Sequence, residues 1–194
     1  TNLGLFIGSG ANKGALVAVG TAGQPITFTT AATIPAAGQW LAVYFDDGTN
    51  DATSILDHCV VEYGGVSYSA NVRLVAASPR IQNSTIRNSS AYGIYGSTSG
   101  TASAPTVQGN TFNGNVQYDA FFDAGSAVVT GNTFSHAVRF DSITGTPSVT
   151  NNTFNAYVGP YLLRLGADSV AGLTGNTWNG ADATSKIEIL GETL

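Results

Sequence analysis

Arg73, Asp119, Phe121, Asp123, Arg139, Asp141 and Arg164 are the residues of this 194-residue chain whose types could do chemistry together. They fall in four short apolar stretches: "NVRLV" (Asn71–Val75), "YDAFFD" (Tyr118–Asp123), "VRFDS" (Val138–Ser142) and "YLLRL" (Tyr161–Leu165). If each is a strand with Val72, Ala120, Phe140 and Leu163 pointing inward, alternation puts the seven on one outer face. Stacked strands would then set Asp119 near Arg139, and Asp141 near Arg164. Carboxylates, guanidinium groups and an exposed ring are the parts of a sugar-binding or lyase groove. They are also the parts of a solvated salt-bridge ladder, which is the preferred expectation.

Other candidates are weaker. "DGTND" (Asp47–Asp51) spaces its oxygens like a fragment of a calcium loop but lacks the further acidic ligand that closes one, so a solvated turn is expected. Calcium is the one cofactor this leaves open. His58, in "DHCVVE" (Asp57–Glu62), is expected to be structural, and His136 in "FSHAV" has no acidic neighbour in sequence. A single cysteine, Cys59, cannot form an internal disulfide. It is read as a small hydrophobe, with a link between two chains as the alternative. Zinc, phosphate-loop and nucleophile-elbow patterns are missing, so no catalytic or metal-binding residue is assigned.

These stretches must be positioned by something repetitive, because the chain between them repeats. "PRIQNSTI" (Pro79–Ile86), "PTVQGNTF" (Pro105–Phe112), "AVVTGNTF" (Ala127–Phe134), "PSVTNNTF" (Pro147–Phe154) and "AGLTGNTW" (Ala171–Trp178) share one template, with "TSILDHCV" (Thr53–Val60) as a degenerate sixth copy. The large apolar residue recurs at Val60, Ile86, Phe112, Phe134, Phe154 and Trp178, in steps of 26, 26, 22, 20 and 24 residues. Self-similarity at this period means a solenoid. The units are too short and too poor in helix formers for helical repeats, and they lack a leucine framework. Short strands broken by Gly, Asn and Pro leave an all-β, right-handed parallel β-helix of about seven to eight coils.

In that fold Ile81, Val107, Val129, Val149, Leu173 and the large apolar column point inward. The Gly-Asn pair bends the chain between two strands, since Gly and Asn tolerate left-handed backbone angles. Asn110, Asn132, Asn152 and Asn176 are expected to form an amide ladder from coil to coil, about 4.8 Å apart. His58 would stand at that ladder position in the first copy, and Cys59 at the threonine position. Thr85, Thr111, Thr133, Thr153 and Thr177 would form an outward column, with Thr130, Thr150 and Thr174 a second on another face. "ALVAVGTAGQPITFTT" (Ala15–Thr30) reads as two strands around a turn, "GQWLAVYF" (Gly38–Phe45) as a strand, and 186–194 as a terminal strand. Residues 1–14 are read as an N-terminal cap or an assembly arm. No linker divides the chain, so 1–194 is one domain.

Composition excludes several classes. Net charge is −5 with only 7 Lys and Arg, so no basic patch for nucleic acid is visible. No apolar run is long enough to span a membrane. Charged residues make up 10% and Gly numbers 24, a mixture that suits strands and turns. Methionine is absent throughout and no secretory leader pattern is visible, so we expect a processed chain or an excised domain.

"GTAGQPITFT" (Gly20–Thr29), "GQWLAVYF" and "ILDHCVVEYGG" (Ile55–Gly65), followed by "PRIQNSTIRNSSAYGI" (Pro79–Ile94), resemble secreted bacterial right-handed β-helix proteins of the broad pectin-lyase-like group. The resemblance runs from about Ala15 to Gly180. It implies the fold, and a group that includes lyases, hydrolases, esterases and adhesins implies no one activity. Pectate-lyase-like members gather Asp around calcium beside an Arg or Lys base. Polygalacturonase-like members carry "NTD", "DD", "GHG" and "RIK" phrases. Here "DD" occurs once, in the turn at Asp46–Asp47, and "GHG" and "RIK" are absent.

The leading expectation is therefore a non-catalytic extracellular structural or cell-surface protein, self-assembling end to end as a homo-oligomer. A polysaccharide lyase or glycoside hydrolase of the pectin-lyase-like group is the alternative. A surface or carbohydrate recognition module is the third, ice binding through the threonine column being its weakest form. Polysaccharide is the expected partner outside the chain itself.

Overall fold

Apolar and polar residues alternate over two to six positions between Gly and Asn, a pattern that suits strands. In the computed structural model, residues 3–97, 102–141, 145–155, 159–167, 172–179 and 186–191 are described, and they form 22 strands and no α-helix. All three sheets are parallel. The first has eight strands: β1 (Leu5–Ile7), β4 (Val43–Phe45), β7 (Ala70–Val75), β10 (Tyr92–Ser97), β13 (Tyr118–Phe122), β16 (Val138–Phe140), β19 (Tyr161–Gly166) and β22 (Lys186–Leu190). The second has seven: β2 (Val17–Val19), β5 (Ile55–Asp57), β8 (Arg80–Gln82), β11 (Thr106–Gln108), β14 (Val128–Thr130), β17 (Ser148–Thr150) and β20 (Leu173–Thr174). The third holds β3 (Ile26–Phe28), β6 (Cys59–Glu62), β9 (Thr85–Arg87), β12 (Thr111–Asn113), β15 (Thr133–Phe134), β18 (Thr153–Phe154) and β21 (Thr177–Trp178). The chain visits the sheets in rotation, each time pairing with the strand three places earlier. This is a parallel β-helix. No helix among the described residues is long and apolar enough to cross a membrane.

The turn from the second sheet to the third is the repeated phrase. Its bend residue has positive φ at His58, Asn83, Gly109, Gly131, Asn151 and Gly175, between 49° and 68°. Gly and Asn recur there because that conformation strains other side chains. The next residue turns its side chain inward, and the amide ladder forms as expected. The backbone N–H and Nδ2 of Asn110 both donate to Asn132 Oδ1, at 2.9 and 3.1 Å. Asn132 donates to Asn152 Oδ1 in the same way, at 2.9 and 3.0 Å, and Asn152 to Asn176 Oδ1 at 2.9 and 3.1 Å.

The first copy sits one residue away from the register read off the sequence. Leu56 pairs with Ile81 and Val61 with Ile86, so Val61, not Val60, belongs to the large apolar column. Cys59 takes the ladder position, its N–H donating to Ser84 Oγ at 2.9 Å. His58 takes the bend, and Val60 the threonine position. A one-residue slip turns every side chain to the other face, and the interior accepts Leu56 and Val61 while leaving Asp57 and Val60 outside.

Inside, Ala18, Leu56, Ile81, Val107, Val129, Val149 and Leu173 stack along the second sheet. Phe112, Phe134, Phe154 and Trp178 stack along the third, with ring centroids 4.9, 5.2 and 4.4 Å apart. Outside, Thr85, Thr111, Thr133, Thr153 and Thr177 stand in register, and Thr130, Thr150 and Thr174 on the second sheet. Leu5–Ile7, within the segment read as a cap or arm, form the first rung and pair with β4. Leu3, Leu5, Phe6, Val17, Val19 and Ile26 of the first coil are exposed. Residues 192–194 of the terminal segment lie outside the described residues.

Truncating Phe134 to Ala should lower stability by about 3–5 kcal/mol, because the closed column collapses poorly around the cavity. Thr133→Ala, one residue away but facing out, should change it by less than about 0.5 kcal/mol. Urea unfolding of the two variants checks the register.

Candidate functional site

The outer face of the first sheet carries one continuous column. Pairing registers put Phe6, Tyr44, Arg73, Tyr95, Phe121, Arg139, Arg164 and Glu188 in line, one per coil. Each faces out because its neighbour must face in: Val72, Ile94, Ala120, Val138 and Leu163 are fully buried. Beside the column runs a row of tyrosines. Tyr92 stacks on Tyr118 at 5.7 Å and Tyr118 on Tyr161 at 6.3 Å. Rings and guanidinium groups interleave: Tyr95 stacks on Phe121 at 5.1 Å, and the Arg139 guanidinium lies 5.0 Å from the Phe121 centroid. The Arg73 guanidinium lies 3.7 Å from the Tyr95 centroid.

Six of the seven expected residues share this face. Arg139 grips Asp141 with two hydrogen bonds, the Nε–Oδ1 contact being 2.6 Å and the second joining NH2 to Oδ2. That carboxylate pushes the Arg139 pKa further up. Arg164 Nε lies 3.4 Å from both Asp141 Oδ1 and Glu188 Oε2, charge contacts without hydrogen-bond alignment. The expected Asp141–Arg164 contact is therefore present. Tyr95 donates its hydroxyl to Asp123 Oδ2 at 2.7 Å. Burial, then that bond, push the Tyr95 phenol up to about 12. Tyr161 is likewise pushed up to about 12 by burial and its bond to Tyr118.

Asp119 is the exception, and the contact with Arg139 does not form. Arg139 pairs with Phe121, whereas Asp119 is 0% exposed. Strict alternation fails at the corner that opens this strand. Two residues, Asp119 and Ala120, separate outward Tyr118 from outward Phe121, and both turn in. The same step recurs at Tyr92–Tyr95 and Tyr161–Arg164. Asp119 Oδ2 accepts the backbone N–H groups of Ser135 and His136 at 2.7 Å each, and Oδ1 accepts Asn115 Nδ2 at 2.9 Å. Burial pushes its carboxyl above the usual range, against three donors that favour the charged form. Its work is to hold the corner.

Two features went unread in the sequence. Asn115 begins a second, shorter ladder, its Oδ1 accepting the Ser89 N–H at 3.1 Å and its Nδ2 donating to the Ile86 carbonyl at 3.1 Å. The signal was present: "NS" at Asn83 and "GN" at Gly109 each recur five residues later. The second is the aromatic cluster of Phe6, Tyr44 and Tyr68, with centroids 5.1–5.7 Å apart.

The remaining candidates make contacts within the fold. Asp51 of the "DGTND" turn accepts the Ser78 N–H at 2.7 Å. Asp57 is paired with His58 at 2.7 Å. Cys59 is buried, and burial pushes its thiol up. Among the described residues no three His, Cys, Asp or Glu converge as a metal site would require. An open hollow of about 760 Å³ near the first coil is lined by Leu3, Leu5, Phe28, Trp40 and Val66 among others.

The fold and this face define the chain's class: a parallel β-helix with an aromatic and arginine strip along its longest sheet. No family model, no curated protein and no solved structure matches it.

Asp119→Ala would strand three N–H donors in the interior and should cost about 2–4 kcal/mol, read by urea unfolding. In an alkaline ultraviolet titration, Tyr95→Phe should remove one phenol that ionises near 12 in the folded chain.

Proposed function

We propose that this is a non-catalytic extracellular or cell-surface β-helix protein that holds an extended polysaccharide along the outer face of its first sheet. The observation that carries this is the in-register column from Phe6 to Glu188, flanked by Tyr92, Tyr118 and Tyr161. Phe6 and the half-buried Tyr44, Tyr92, Tyr95 and Tyr118 give a sugar ring an apolar face to stack on, Phe121 and Tyr161 being buried among them, and phenols and guanidinium groups at the rim donate to its hydroxyls. A strip several coils long suits a chain better than a single sugar.

The binding reading is favoured over turnover by how the charges are employed. Asp141 is held by Arg139 and Arg164, and Asp123 takes the Tyr95 proton donor. A carboxylate locked in two ion pairs is a poor base. The extracellular setting is supported by the resemblance to secreted β-helix proteins and by the scarcity of charge.

A panel of neutral and acidic polysaccharides, assayed by calorimetry and by product release with and without calcium, tests this. Binding of at least one polymer without product is expected. Tyr118→Ala should weaken it about three- to tenfold, the worth of one stacked ring. Product that vanishes in Arg139→Ala or Asp141→Ala would transfer the chain to the lyase or hydrolase class. No binding to any polymer would end the proposal.

A further inference from the structure

The face is uneven in charge. Arg139 and Arg164 share the carboxylates of Asp141 and Glu188, and Arg87 on the third sheet is paired with Glu62. Arg73 has no ion pair among the described residues. Its Nε, like that of Arg164, is shut off from water and has no hydrogen-bond partner among the described residues. The guanidinium lies against the Tyr95 ring, and Tyr44 stands on the neighbouring strand at the other side. Among the described residues the one other arginine without an ion pair is Arg80, which is exposed on the second sheet.

A half-buried cation without an ion pair is costly unless something pairs with it, and because Nε is shut off from water an anion from outside meets the Nη1–Nη2 end of the guanidinium. Asp46, two residues beyond Tyr44, and Asp123, which accepts the Tyr95 hydroxyl, carry the carboxylates on this part of the face, but neither makes an ion pair with Arg73, and Asp141 is held by Arg139 and Arg164. Stacking on Tyr95 fixes the plane of the fork, and a planar fork takes a carboxylate or sulfate by two parallel hydrogen bonds. Phe6, Tyr44 and Tyr68 form a ring cluster next to it. Apolar rings beside a cation that has no ion pair of its own complement a sugar unit that carries one negative group.

We infer that Arg73 is an anion subsite, recognising the carboxylate or sulfate of an acidic polysaccharide whose sugar rings lie over Tyr44 and Tyr95. This rests on the polysaccharide reading above and narrows it to charged polymers. The N-terminal half of the face sets specificity for charge, and the self-neutralised half beyond Phe121 adds stacking and hydroxyl contacts.

Polygalacturonate, dextran sulfate and uncharged dextran, titrated against the full chain at low and high salt, form the test. At least one of the two charged polymers should bind more tightly than dextran and weaken as salt rises. Which of them does so distinguishes carboxylate from sulfate. Arg73→Gln should weaken charged-polymer binding roughly tenfold or more, the scale of a charged hydrogen-bonded contact, and dextran binding far less, since an uncharged sugar offers the fork only hydroxyls. Arg73→Lys, which keeps charge but loses the fork, should recover part of the loss. Circular dichroism and a melting curve establish that each variant is folded. If Arg73→Gln does not fold, Arg73→Lys and the salt dependence decide. Wild-type affinity in a folded Arg73→Gln, in Arg73→Lys where that stands in, or dextran binding as tightly as both charged polymers, overturns the subsite but leaves the polysaccharide face standing. Failure of all three polymers to bind removes both.

Discussion

The register of the repeated coils hangs on how one inward amide per coil, from Asn110 to Asn176, is satisfied. Asn132 shows the arrangement in full. Its Oδ1 accepts two hydrogen bonds from Asn110, and its Nδ2 donates to the Val107 carbonyl and to Asn152 Oδ1. All four hydrogen-bonding positions of the amide are used. The ladder thus closes the backbone groups that the bend would otherwise leave unpaired in the interior, where each would be expensive. It also allows one register only, because a slip of one residue would bury Thr133 and eject the asparagine. With that register set, the phenylalanine column, the aliphatic column and both threonine columns fall into line.

The same logic repeats at the next corner and there reaches the surface. Asn115 ties the Ile86 carbonyl and the Ser89 N–H to the carboxylate of Asp119. Asp119 in turn receives the backbone of Ser135 and His136 from the following coil. This clasp draws Asp119 inward and delays the alternation by one residue, so Tyr118 and Phe121 both emerge on the outer face. At this rung a buried carboxylate occupies the corner between the tyrosine row and the column; at the Tyr92 and Tyr161 rungs Gly93 and Leu162 hold the same inward place.

On that face, rings and guanidinium groups share a single line one coil apart. Each arginine is partly desolvated by its neighbours, which strengthens its attraction for any anion. Where the chain supplies carboxylates the charge is spent internally, as at Arg139. Around Arg73 it supplies rings and no ion pair, with Asp46 and Asp123 the carboxylates on either side, so the charge is not paired off directly. The strip is therefore graded from an aromatic end whose cation has no ion pair to an end that is electrostatically closed.

The sequence by itself determined the architecture. Template spacing, the Gly or Asn at the bend, the inward asparagine and the inward Phe112, Phe134, Phe154 and Trp178 are local rules repeated, and repetition makes them readable without three-dimensional knowledge. It also determined most of the charged face, since Arg73, Phe121, Arg139 and Arg164 follow from simple alternation. Only the tertiary structure decided the exceptions. His58 and Cys59 moved one place because, in the degenerate copy, the spacing fits two registers and only packing of Leu56 and Val61 against their neighbours chooses. Asp119 went inside because donors from Asn115, Ser135 and His136 converge on it, one from its own corner and two from the next coil. Phe6 and Tyr44 joined the strip because pairing across coils of unequal length brings distant segments together. Alternation is a property of a few adjacent residues and can be read from them. Which charge is satisfied, and by what, depends on partners a whole coil away, and only the folded chain supplies those.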